Sequence, residues 1–311
     1  MKWFRLFSEI VAVEGDHSCA LYNFRDQCIY TLNQNTYRFL EAAKQMPISL
    51  LCESFGKANT QQLINKLCVQ HIGFIHPEPE LYTDMPLEWH CSSPIQRAVV
   101  DFEDRSYELA HIAAQLDRVL CESLELRLNV PLAVQVFISE CLGWFAGTTV
   151  RSIHLVIDYK AAKDFVDVLA ESCTRLTAVS LCNAPVDGKK MLRGVRIAYH
   201  RKSILALDRV IAKKPLIVQR RFFCEALHFN PYFNRKVVID KSGFLRNDLY
   251  QRAHFGNVQS TDLIQLPKDD SFTELWHACA DKVLPLKHDP LRYARFITAL
   301  PIRVSKNIFT Y

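Results

Sequence analysis

At 311 residues, with 49% hydrophobic and 23% charged residues, the chain can bury a substantial core and has room for about two domains. No run reaches the roughly 18 uninterrupted apolar residues of a membrane span, and the first ten residues mix basic and acidic side chains without a small-residue cleavage site. A globular cytosolic protein is expected. The formal net charge of +5 is modest but unevenly spread.

In chain order, residues 4–13 have strand-like content. Cys19–Asn23 follows a Gly15-Asp16-His17 turn, and Cys28–Leu32 makes a third short run, so a three-stranded meander is expected. Asn33 or Asn35 can cap a helix reaching Lys44, with Tyr37, Leu40 and Ala43 on one face and Pro47 as its stop. A second helix is predicted over Ile48–Phe55. A third, over residues 60–71, carries Leu63, Ile64, Leu67 and Cys68 on one face, with Gly73 as its stop and Phe74-Ile75 returning as a wing strand. Strands, three helices and a wing describe a winged helix-turn-helix. DNA is a poor partner for it, because residues 60–70 hold one lysine and no arginine to grip phosphate.

Residues 76–86 read as a linker, after which strands and helices alternate. Strands are expected at 98–102, 124–128, 153–157, 179–181, 195–198 and 216–218, and an amphipathic helix at 107–120. That order points to parallel βαβ units in an open sheet or partial barrel. Neither GxGxxG nor GxxxxGK[ST] occurs, so nucleotide binding through a glycine-rich loop is not expected; nucleophile-elbow and HExxH motifs are also missing. Towards the carboxy terminus, residues 237–239 and 244–246 flank a Lys241-Ser242-Gly243 turn as a hairpin, and a helix is expected over 271–279.

The eleven cysteines stand singly, with no CxxC or CxxxC pair, and read as reduced core residues. His277, His288 and Asp289 have no recognised ligand spacing, so no metal is expected there. Residues 189–221 carry eleven Lys and Arg against one acid, Asp208. Among them Lys213, Lys214, Arg220 and Arg221 are candidates for binding an acidic partner.

Tyr30-Thr31-Leu32-Asn33, the helix with Leu63 to Leu67, and the closing Gly73-Phe74-Ile75 resemble the PqqD-like peptide-recognition element. Asn230 to Asn247, Phe255-Gly256-Asn257-Val258, Phe272-Thr273-Glu274-Leu275-Trp276 and Arg292-Tyr293 are similar to the SPASM region of the grasp-with-SPASM peptide maturases. The likeness extends to Pro79-Glu80-Leu81 and Leu87-Glu88-Trp89. It implies an α/β chain in three parts: a winged-helix recognition domain over 1–80, a partial (β/α) barrel of radical-SAM descent over 90–229, and a degenerate SPASM-like domain over 230–311.

The resemblance also implies a peptide site at Cys28, Ile29, Tyr30, Thr31, Leu32, Leu63, Lys66 and Leu67, where the leader of a ribosomally made precursor adds a strand. The family's cluster frame, set on Arg292-Tyr293, puts its ligand positions at Leu286, Asp289, Arg295 and Thr298, with a further one near Gln251; none is cysteine, and CxxxCxxC is absent. No cofactor is therefore expected. The implied role is an adaptor that presents the precursor to a modifying enzyme such as an ATP-grasp ligase, and self-association is compatible with it. The rival is a peptide-modifying enzyme with a rebuilt, cluster-free active site.

Overall fold

The computed structural model describes residues 1–78, 84–103, 106–129, 135–207 and 216–311. They form two compact units. One comprises Met1–Trp89, Lys214–Pro231 and His277–Tyr311; the other comprises His90–Lys213 and Tyr232–Trp276.

The chain opens with β1 (Trp3–Leu6), β2 (Ile10–Glu14), β3 (Cys19–Asn23) and β4 (Cys28–Leu32). Helices α1 (Gln34–Ala43), α2 (Ile48–Phe55) and α3 (Lys57–Val69) follow, then β5 (Gly73–His76). Strands β2, β3 and β4 make the antiparallel meander in that order. The strand-like stretch at 4–13 is not one strand. Ile10 N donates to Phe7 O at 3.0 Å in a turn that sends β1 away to pair with β5. Gly73 is needed at that pairing, because a Cβ there would run into the Phe4 ring and the Arg5 carbonyl.

Alternation along β3 gives this unit two cores. Leu21 packs with Phe39, Leu40, Ile64, Leu67 and Ile72 on the helical side. Ala20 and Tyr22 point the other way, into Val218, Phe223 and Tyr293. Phe223 lies on α9 (Arg220–His228), which belongs to this unit, and stacks edge-on against Tyr22, Phe24 and Tyr293 at 4.9, 5.1 and 5.2 Å.

Several expected boundaries shift for local reasons. Asn33 caps α1 through Thr36 N at 2.8 Å. Pro47 is not a stop but the N-cap of α2. The third helix starts at Lys57, not Thr60, because Gly56 takes φ +84° and turns the chain; the Thr60 hydroxyl instead donates to Leu51 O inside the helix pair. It ends at Val69, where His71 rather than Gly73 adopts the left-handed conformation.

The second unit is mixed α/β around a large, mostly parallel sheet. Its elements are β6 (Arg97–Phe102), α4 (Leu109–Arg118), β7 (Ser123–Leu128), α5 (Gln135–Gly143), β8 (Ser152–Asp158), α6 (Tyr159–Ala162), α7 (Val166–Ser172), β9 (Leu176–Cys182), β10 (Gly188–Leu192), β11 (Val195–Tyr199), α8 (Ile204–Leu207), β12 (Lys236–Ile239), β13 (Leu245–Arg246) and α10 (Asp270–Thr273). The strand order is β10-β11-β9-β8-β7-β6-β12-β13, antiparallel only at the two outermost pairs. One face is built of buried apolar rows, Ala98–Leu124–Ile153, Val100–Leu126–Leu155 and Phe102–Leu128–Ile157. The opposite face carries ionisable residues. The apolar run at 216–218 is no strand: Leu216 is exposed, Ile217 N makes one bond to Ala294 O at 2.8 Å, and only Val218 is buried.

The hairpin at Lys241-Ser242-Gly243 forms as expected between β12 and β13, with Gly243 at φ +81°. Phe-Gly-Asn-Val is strapped to it by Val258 N to Gly243 O at 2.9 Å and Asn257 Nδ2 to Ser242 O at 3.0 Å. The helix expected at 271–279 is shorter: α10 tightens into a 3-10 turn over Glu274–His277, with Phe272 edge-on to Trp276. These residues thus pack and brace. The first unit's last elements are β14 (Ile302–Ser305) and β15 (Ile308–Thr310), an antiparallel pair.

Candidate functional site

Strands β2 and β4 each pair with β3 alone among the described residues, so β4 is one of the two edges of the meander without a further strand. Tyr30 stands opposite Leu21 and Leu32 opposite Cys19, so both side chains share the helical face. Ile29 points to the other face, against the Tyr22 cluster. Helix α3 supplies the facing wall. Ile64 and Leu67 are buried in the core while Leu63 is half-buried, so Leu63 and Leu67 form an apolar stripe along the rim.

Between them lies a groove of about 480 Å³, lined by β4 from Ile29 to Leu32, by Leu63, Lys66, Leu67 and Gln70 of α3, and by Asn33, Thr36 and Ile72. Its end is stiffened by the α1 cap and by the Cys19 thiol, which donates to Asn33 O at 3.3 Å. An unpaired strand edge beside an apolar wall can accept an extended chain by main-chain hydrogen bonding.

Ile29, Tyr30, Thr31, Leu32, Leu63, Lys66 and Leu67 therefore come together. Cys28 does not line the groove; it sits at the start of β4, and a hydrogen bond between its thiol and the Tyr30 hydroxyl, with burial, pushes the phenol up from its usual range. Thr36, Gln70 and Ile72 were not singled out in the sequence, and Asn33 was read there as a helix cap and motif residue but not as part of the site. Gln70 was legible as the residue four after Lys66 on the same helical stripe.

Of the four candidate basic residues, Arg220 and Arg221 lie among the described residues. Lys213 and Lys214 lie outside the described residues, as do Pro79-Glu80-Leu81. Arg220 and Arg221 are exposed in the first turn of α9, Arg220 donating to Pro86 O at 3.0 Å. Elsewhere in residues 189–221, Lys190 pairs with Asp167 at 2.8 Å and Arg193 with Glu171 at 3.1 Å, offsetting part of the positive charge.

The implied cluster positions do not fit an iron–sulfur cluster. Leu286 packs with Ala278, Val283 and Phe309, and Asp289 accepts from Arg295 Nε at 2.5 Å. Arg292 and Tyr293 both hold Asp281, at 2.7 Å from Nε and 2.7 Å from the hydroxyl. His288 Nδ1 contacts Asp16 at 2.6 Å, and His277 lies against Phe229 with ring centroids 5.4 Å apart. His277, His288 and Asp289 thus serve separate partners. Among the described residues no disulfide joins any of the eleven cysteines, and no group of three or more His, Cys, Asp or Glu converges on one point. No helix among them is long and apolar enough to cross a membrane.

A polar network on the ionisable face of the second unit has no sequence motif. Glu125 on β7 accepts from Arg127 Nε at 2.6 Å and faces His154 Nδ1 on β8 at 3.5 Å; His154 Nε2 meets Ser180 Oγ on β9 at 2.9 Å. Burial alone would raise the Glu125 carboxyl, but the His154 contact and the Arg127 charge outweigh it and hold it at about 2. The His154 ring thus bridges Glu125 and Ser180 across β7, β8 and β9. Nearby, burial lowers the Lys236 ammonium to about 8, partly countered by Asp248 at 3.8 Å. At the carboxyl end of this face Ile204 of α8 packs with Val156 and Cys182.

No protein-family model matches the chain, and no curated protein matches it. Solved structures with a distant likeness include Streptococcus suis SuiB bound to S-adenosylmethionine, at 11% identity and a TM-score of 0.29 over 88% of this chain and 90% of that one. SuiB alone gives 10% and 0.30 over 93% and 94%. SuiB bound to the precursor peptide SuiA gives 10% and 0.30 over 94% of each chain.

Proposed function

We propose that this chain binds an extended peptide, the leader of a ribosomally made precursor, as a strand added to β4, and presents it to a separate modifying enzyme such as an ATP-grasp ligase. The observation that carries the reading is the β4 edge without a strand partner among the described residues, set beside the Leu63–Leu67 wall of α3. Main-chain pairing supplies affinity there, and side-chain contacts supply preference.

In this reading residues 1–80 act as a PqqD-like winged-helix recognition domain, residues 90–229 as a partial barrel of radical-SAM descent, and residues 230–311 as a SPASM-like remnant. Arg220 and Arg221, with Lys213 and Lys214, contribute attraction to an acidic partner. The adaptor role is supported by Leu286 and the Asp289–Arg295 pair at positions where cluster cysteines would be needed, and by the packing of Ile204 on Val156 and Cys182. The Glu125–His154–Ser180 network favours the rival, a rebuilt cluster-free enzyme. Incubating the protein with a precursor peptide that it binds, with and without a candidate ATP-grasp ligase, separates the two. Modification only when both proteins are present supports the adaptor; modification by this chain alone supports the rival.

A further inference from the structure

We infer that the groove selects an acidic strand: an extended segment with apolar side chains at i and i+2 and an aspartate or glutamate within a residue or two of that pair. The inference rests on the reading of the groove as a peptide site and specifies the chemistry of the occupant. The two walls are matched in length: Ile29 to Leu32 spans about 10 Å at the rise of a strand and Leu63 to Gln70 about 10 Å at the rise of a helix. Leu63 and Leu67 are then separated by about 6 Å along α3, close to the roughly 6.6 Å between same-face residues of a strand. A strand laid against β4 thus presents alternate side chains at the spacing of the two leucines.

Charge decides what flanks that pair. Among the lining residues Lys66 is the one charged side chain, it is exposed, and no carboxylate lines the groove. The whole of α3 carries Lys57 and Lys66 and no acid. Lys66 precedes Leu67 by one position, so its ammonium reaches over the shoulder of the helix beside the apolar stripe. A carboxylate on the incoming strand gains a partner next to a low-dielectric wall, whereas a lysine or arginine meets like charge from Lys66 and no carboxylate among the lining residues; Asp26, which acts on Tyr30 from beyond the lining, is paired with Arg25.

Panning a display library of random short peptides against the full chain tests this. Wild-type protein is expected to enrich apolar i, i+2 pairs flanked by Asp or Glu, and Lys66→Glu to enrich Lys or Arg at that same place. A peptide chosen by the wild type is expected to bind Lys66→Glu about tenfold more weakly, with a flatter salt dependence. Lys66 is exposed, so circular dichroism should show the variant folded. If Lys66→Glu keeps the acidic preference while Leu63→Asp abolishes capture, the groove binds peptide but the charge inference is wrong. If the selected peptides ignore folded Leu63→Asp as well, the groove reading falls and takes the inference with it.

Discussion

The Tyr293 hydroxyl donates to Asp281 at 2.7 Å, while Arg292 Nε holds the other oxygen of the same carboxylate and Arg292 Nη1 reaches Glu14 O at 2.7 Å. An Arg-Tyr pair that resembles a cluster-site signature is here a clamp between the carboxy-terminal segment and β2. Tyr293→Phe keeps the ring against Phe223 and removes only the hydroxyl. Because Asp281 is partly exposed, the expected loss is about 1–2 kcal/mol, at the lower end for hydrogen bonds to charged groups. Urea unfolding measures it, and an unchanged midpoint would show that the clamp is not stabilising.

The Glu125 carboxyl titrates near 2 when folded, against an ordinary value of 4.5. A carboxylate whose folded value is depressed contributes stability that is complete above about pH 4.5 and is lost as pH falls towards 2. Glu125→Gln should therefore be less stable than the wild type by about 2–3 kcal/mol near pH 6, with the gap closing as the buffer is taken down to pH 2. Chemical denaturation of both proteins across that range checks the sign; a gap that stays constant would mean that Glu125 is not held ionised by Arg127 and His154.

Anaerobic reconstitution with iron and sulfide should leave the purified protein without a stably bound cluster, since Leu286, Asp289, Arg295 and Thr298 offer no thiolate. Iron and sulfide analysis after desalting is the readout. A stoichiometric cluster would overturn the assignment of these positions.

The elements that wall the groove were legible as a short apolar run over Cys28–Leu32 and as helical spacing that puts Leu63, Ile64, Leu67 and Cys68 on one face, whereas a peptide site between them came from the resemblance to the PqqD-like element. Residues 4–13 misled because composition does not reveal the turn at Phe7 that divides them between two sheets. Residues 216–218 misled in the opposite way: three apolar residues suggest a strand, yet only Val218 has a core to enter. The Glu125–His154–Ser180 network was illegible for a different reason. Its members lie far apart in the chain and meet only through the register of β7, β8 and β9, which intervening helices determine.

Titration of a peptide selected by the wild-type protein from a display library into the full chain, with Tyr30→Phe, Tyr30→Pro and Leu63→Asp compared with the wild type, addresses the β4 groove most directly. Main-chain pairing tolerates a changed side chain, whereas proline removes a donor and fixes φ. Tyr30→Phe should bind as the wild type does, and Tyr30→Pro and Leu63→Asp should each lose at least about tenfold in affinity, with circular dichroism and melting confirming that they remain folded. Folded Tyr30→Pro and Leu63→Asp proteins that bind the selected peptide with wild-type affinity would remove the peptide from this groove.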